Sequence, residues 1–143
     1  MHAKPLVLSL SLALSLFAFQ APAQQSASLS VDPDQEGLSI LFDLGGASIR
    51  SDQQEVLDQA SRLFRDGNPV VMIVTGSADT VGSASENLDL SIRRARNVAD
   101  GLVARGIPIE RLQVLGRGNS ELPVPTDDGV ANEENRSVLI NWR

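Results

Sequence analysis

The stretch from Val70 to Ala95 limits what this chain can become more than any other. It opens with five apolar residues, Val70-Val-Met-Ile-Val74, a continuous run of strand length that suits a strand covered on both faces. Gly76-Ser-Ala-Asp79-Thr-Val-Gly82 then places an acid in a turn bounded by glycines. Ser83 and Glu86 have the spacing of a capping box, in which each side chain bonds the other residue's backbone N–H and so starts a helix. Arg94 lies fifteen residues beyond Asp79, inside that helix. The helix runs from about residue 84 to 104, or is broken near Ser91, a second possible cap. With a break there, Arg94 would fall in a first turn and oppose the helix dipole. Ala95, Val98, Ala99, Leu102 and Val103 recur at the helical period and form its buried stripe. Gly106 offers a left-handed end, with Pro108 just beyond.

The flanking segments extend this unit on both sides. Gly37 to Asp43 is apolar and β-prone, a first strand followed by a Gly45-Gly46 turn. Ser51 can cap a helix with Asp52 in its first turn, and Val56, Leu57, Ala60, Leu63 and Phe64 share one face. Asp66-Gly-Asn-Pro69 ends it. Arg111 to Leu115 reads as a third strand and Gly116 to Glu134 as loop. Arg136 to Trp142 alternates Val138, Ile140 and Trp142 against Ser137, Leu139 and Asn141, as a half-buried strand does. The order predicts an α+β, two-layer β-α-β-α-β-β sandwich: a mixed sheet with both helices packed on one face.

The first 23 residues read as a secretory signal peptide, with Lys4 in a basic start, an apolar run from Leu6 to Phe19 and Ala21-Pro-Ala23 as a small-residue cleavage site. That run of about 14 residues is short of the roughly 20 a spanning helix needs, so no transmembrane segment is expected after cleavage. Residues 24–36 form a short polar linker, and 37–143 suit one domain with one core. Beyond residue 23 the chain has eleven arginines, no lysine and eighteen acids, a net charge of −7. Such a balance argues against nucleic acid and anionic lipid surfaces as partners. There is no cysteine, and the one histidine, His2, lies in the signal. A hydrolytic triad, a thiol nucleophile and an ordinary zinc site are all excluded, and no cofactor or metal is expected. Asp32-x-Asp34-x-Glu36-Gly37 has part of a calcium-loop pattern but lacks the rest of that loop. Asn135-Arg-Ser137 fits a glycosylation sequon inside the expected last strand.

Gly76-x-x-Asp79-x-x-Gly82, then Asn87, Leu90-Ser91 and Arg94-Ala95, closely resembles the signature of the OmpA-like peptidoglycan-binding domain, with every spacing kept. Phe42-Asp43 upstream, and Gly116-Arg-Gly118, Pro123 and Asn135-Arg-Ser-Val138 downstream, extend the resemblance over about Gly37 to Arg143. It implies a periplasmic, non-enzymatic module. Such a module binds the diaminopimelate of a peptidoglycan stem peptide, tethers its protein to the cell wall and outer membrane, and can serve an envelope complex. Three positions depart from the family pattern. Ser77-Ala78 stand where His-Thr is common, Ser137 replaces a second arginine, and the Leu44-Gly45-Gly46 exit is less polar. The first loses a hydrogen bond beside the ligand and the second loosens the pocket wall.

The residues themselves leave two readings of Asp79 and Arg94. They can form a plain ion pair that ties the loop to the helix. Alternatively, Asp79 accepts from an ammonium while Arg94 grips a carboxylate with two parallel N–H donors, a clasp for a zwitterion. The resemblance implies the second, with Asp79 meeting the amine of diaminopimelate and Arg94 its carboxylate. Asn87 is expected to brace the turn with its amide or to touch the ligand. Ala78 and Thr80 offer a backbone N–H or a hydroxyl at the rim, Arg136 lines the pocket or lies solvated at the strand edge, and Phe42 is core or platform. Two rivals remain: an interaction module of the same fold without ligand binding, and a carboxylate-dependent glycan hydrolase using Asp79 with Asp43 or Glu86.

Overall fold

The computed structural model describes residues 37–143. The signal-peptide, linker and calcium-loop expectations fall outside the described residues. Four strands, β1 (Leu38–Leu41), β2 (Met72–Gly76), β3 (Leu112–Gly116) and β4 (Ser137–Trp142), form one sheet in the order β1-β4-β2-β3. β4 runs antiparallel to both β1 and β2, whereas β2 and β3 are parallel and joined through α2 (Ala84–Val103). With α1 (Gln54–Gly67), α2 covers one face. Val56, Leu57 and Ala60 of α1 and Ala95, Val98 and Leu102 of α2 share one core with Ile40, Met72, Val74, Val138 and Ile140. This is the expected α+β sandwich with a mixed sheet.

Several local expectations shift. Strand pairing, not hydropathy, sets where β2 lies. Its first partner is Trp142 at Met72, so pairing runs on to Gly76 and leaves Val70 outside, 77% exposed. Nor is β2 covered by helices on both faces, since both helices pack on the Met72 and Val74 side. Ser51 caps nothing. It begins a 3-10 turn, Ser51–Gln53, in which the Arg50 guanidinium holds Asp52, and α1 starts at Gln54. Arg111 likewise belongs to a 3-10 turn before β3. Arg136 precedes β4 instead of opening it. Val103 faces solvent, whereas Leu102 is fully buried.

The capping box at Ser83 and Glu86 is formed in both directions, and α2 runs unbroken past Ser91. The Ser91 hydroxyl donates to Leu88 O (2.7 Å) and accepts from Gly118 N (2.8 Å), fastening α2 to the loop after β3. Arg94 therefore sits mid-helix, and no first-turn dipole penalty arises. The approach of α2 to the sheet requires two glycines. A Cβ at Gly76 would lie 2.0 Å from Ser91 O, and one at Gly116 would lie 2.3 Å from Ile92 Cγ1. This seating brings Arg94 over the carboxyl ends of β1 and β2.

Candidate functional site

Three charged side chains meet at that end of the sheet, two of them almost sealed from water. Asp79 is 4% exposed and Arg94 0%. They do not form the ion pair allowed by the sequence. Arg94 spends its donors on main chain: Nε on Gly46 O (2.7 Å), Nη1 on Ser77 O (3.0 Å) and Nη2 on Asp43 O (3.0 Å). It thereby ties the loop after β1 to the loop after β2, with its guanidinium 5.3 Å from the centre of the Phe42 ring. Asp79 pairs instead with Arg136, at 3.3 Å, and its other oxygen accepts from Val81 N at 3.3 Å. Arg136 in turn donates to Phe42 O, so it lines the site and is not a solvated edge residue. Burial lowers the Arg94 pKa to about 10, the Asp79 carboxylate acts against that shift and the Arg136 charge adds to it. Arg94 remains a cation at neutral pH.

The remaining candidates fall into place around this trio. Phe42 is fully buried beneath Arg94, part of the core and backing for the cation. Ala78 is fully buried and donates its N–H to Gly118 O, so that donor serves the fold. The Thr80 hydroxyl donates to Asp127 O (2.7 Å) and accepts from Val130 N (3.1 Å), while Thr80 O accepts from Gly129 N. It is a peg for the loop before β4, not a rim donor. Asn87 is 3% exposed, and its amide nitrogen has no hydrogen-bond partner. The expected bracing by that amide is absent because the Ser83–Glu86 box already closes the turn. A buried donor left unpaired costs about 1–3 kcal/mol, so the site holds an unmet hydrogen bond.

Arg94 has five N–H groups, and three are used. One each on Nη1 and Nη2 is left, the number a carboxylate takes in a bidentate grip. Asp79 holds its two partners at long range. The chemistry available is therefore recognition of a small group bearing both charges. Asp79 is held by Arg136, and Asp43 is largely exposed beside Arg50. Hydrogen bonds from Ser83 hold the Glu86 carboxyl below its usual pKa, the wrong direction for a proton donor.

Residues 41–136 match the family model described as "OmpA family". The chain belongs to the OmpA family. It is 36% identical over 107 residues to outer membrane protein A of Klebsiella aerogenes, covering 71% of this chain and 29% of that one. The match to the Escherichia fergusonii protein of that name has the same identity and covers 42% of it. The chain thus spans well under half the length of these relatives. Among solved structures it resembles the peptidoglycan-associated lipoprotein of Burkholderia pseudomallei, with a TM-score of 0.67 and 21% identity over 73% of this chain and 89% of that one. It also resembles the periplasmic domain of Helicobacter pylori MotB, with a TM-score of 0.60 and 18% identity over 75% of each. These two likenesses concern the fold.

Within this OmpA-family fold, sequence reasoning missed the three carbonyls that hold Arg94 and the choice of Arg136 as partner of Asp79. It also missed the Arg50 cluster at the rim, where one guanidinium binds Asp52 and Glu133 and approaches Asp43. The sequon residue Asn135 is fully buried and clasps both polar backbone groups of Val124, so it presents no acceptor at the surface. Among the described residues no helix is long and apolar enough to cross a membrane, and no cluster of His, Cys, Asp or Glu could hold a metal ion.

Proposed function

We propose that this chain binds peptidoglycan non-covalently in the periplasm, through the zwitterionic end of a diaminopimelate stem residue, and so localises its protein or complex to the cell wall. The observation that carries this reading is a buried charged pair with unmet capacity: Arg94 with two spare N–H donors and Asp79 held only at 3.3 Å. A ligand carboxylate satisfies Arg94, and a ligand ammonium takes Arg136's place on Asp79. Family membership and the likeness to a peptidoglycan-associated lipoprotein support it. Burial of Arg94 and Asp79 means that the ligand is admitted by a shift of Arg136 and the loop pinned to Thr80. By the same proposal the chain is a binding module and not an enzyme. It is exported by residues 1–23 and carries a linker at 24–36 before its one domain, with an envelope protein as a further partner.

The test is co-sedimentation of the purified protein with sacculi, using Asp79→Asn as a near-isosteric variant. Wild type pellets and the variant stays in solution while folded. A second reading, an interaction module without wall binding, is favoured by one observation: Arg94 is fully buried and the Ala78 and Thr80 donors serve the fold. Folded wild type that does not pellet, but still captures an envelope protein that Asp79→Asn also captures, would establish that reading instead.

A further inference from the structure

The face of the sheet away from the helices holds a second polar feature. β2 and β4 alternate, so Thr75 and Ser77, with Ser137, Leu139 and Asn141, point to the side opposite the core. The loop after β3 folds back over them, and a half-open cavity of about 340 Å³ lies between loop and sheet. That volume is within the usual range for a small-ligand site.

The lining is unusual for a surface groove. Thr75, Ser77 and Ser137 are 8%, 7% and 4% exposed, and their side chains line the cavity. Asn141 adds a buried Oδ1 that lacks a partner. Buried polar groups normally have partners, so Asn141 Oδ1 awaits a donor, and the three hydroxyls beside it can donate to or accept from a bound group. Leu139, Leu122 and Pro123 supply an apolar wall, and the paired charges of Arg117 and Glu121 stand at the rim.

We infer that this cavity binds one N-acetylated hexosamine unit. Hydroxyls that both donate and accept match sugar hydroxyls. The Asn141 oxygen needs a donor, which the acetamido N–H provides, and the apolar wall suits the acetyl methyl. An extended peptide fits less well, because peptide strands add to free sheet edges. Here β2 and β4 are interior strands whose backbone groups already pair. Taking the source of the sugar to be the wall polymer rests on the function proposed above, whereas the cavity and its chemistry do not. Ser77 joins the two sites: its carbonyl holds Arg94 on one side and its hydroxyl faces the cavity on the other.

The test is an NMR titration of the isotope-labelled protein with a peptide-free β-1,4-linked tetramer of N-acetylglucosamine, and separately with a sugar-free stem peptide. The tetramer is expected to give saturable shifts at Thr75, Ser137 and the Asn141 side-chain amide. Ser137→Ala and Asn141→Ala, two variants with independent risks to folding, are each expected to weaken it about fivefold or more. Absence of shifts, shifts that both folded variants leave unaltered, or shifts in the cavity with the peptide alone would each overturn the inference. Because the tetramer has no peptide, its failure leaves the stem-peptide reading standing, and failure of the stem peptide alone leaves the cavity reading standing.

Discussion

Replacing Arg94 with lysine separates the charge of this residue from its shape. Both side chains are cations, but only arginine has three nitrogens fixed in a plane. Those nitrogens reach Gly46 O, Ser77 O and Asp43 O at 2.7, 3.0 and 3.0 Å. A single lysine nitrogen keeps about one of these bonds. Hydrogen bonds from a charged donor contribute about 1.5–3 kcal/mol each, so losing two removes about 3–6 kcal/mol. Arg94 is completely buried, and water cannot readily replace the missing partners. With relaxation of the loops, a loss near 3 kcal/mol is the expected outcome, a large part of the about 5–15 kcal/mol that holds a domain together. A domain of this size loses about 4–8 °C of Tm per kcal/mol, so Tm should fall by roughly 12 °C or more. Urea unfolding followed by circular dichroism measures it. A loss below about 1 kcal/mol would refute the claim that Arg94 staples the two loops through the geometry of its fork. It would also revive the simpler view in which only the charge near Asp79 matters.

Three further outcomes follow from particular contacts. Gly76→Ala places a methyl 2.0 Å from Ser91 O and 2.8 Å from Ser91 C. Both are backbone atoms, so α2 must move, and destabilisation of about 3 kcal/mol or more is expected in urea melts. A change under about 0.5 kcal/mol would show that the helix is not seated this closely. Thr80→Val keeps the shape but leaves Val130 N and Asp127 O without their partner. Hydrogen exchange at Gly129 and Val130 should speed up, with a stability loss of about 1–3 kcal/mol. Unchanged exchange would mean that the loop is held elsewhere. Hydrogen bonds from Ser83 keep the Glu86 carboxyl pKa below its ordinary value of 4.5 in the folded state. The unfolded chain then takes up protons first on acidification, so this contribution is complete above pH 4.5 and is lost as pH falls through the lower folded value. Urea midpoints between about pH 3 and 6 should fall less steeply in Glu86→Gln than in wild type, and equal slopes would count against the capping box.

What could be read from the sequence was mostly local. The Ser83–Glu86 box and the stop at Asp66 to Pro69 depend on neighbours a few residues apart, and both are formed, the stop as a left-handed Asn68. The alternation of Val138 and Ile140 in β4 needs only the two-residue period of a strand. Non-local pairing was hidden. β2 begins at Met72 because Trp142 lies opposite it, a fact about a segment 70 residues away. The site has the same character. Arg94 was the candidate partner of Asp79 in the helix, yet Arg136, 57 residues distant, is its partner. Side chains of one type are indistinguishable in a sequence until the sheet order brings one of them close. The backbone carbonyls that occupy Arg94 carry no residue signature at all. Ser137 and Asn141 were legible as the polar side of the last strand, and Ser77 as a turn residue, but not as the wall of a cavity, because the covering loop after β3 has no periodicity to place it.

The most direct test of the central claim compares two tripeptide stems by calorimetry, identical except that one ends in diaminopimelate and the other in lysine. The lysine side chain has the ammonium for Asp79 but no carboxylate for Arg94. The proposed clasp predicts that the diaminopimelate stem binds and that the lysine stem binds about 10–150-fold more weakly, the loss expected for one charge-assisted hydrogen-bonded group. Equal affinity for the two stems, or binding of neither by the folded protein, would contradict it.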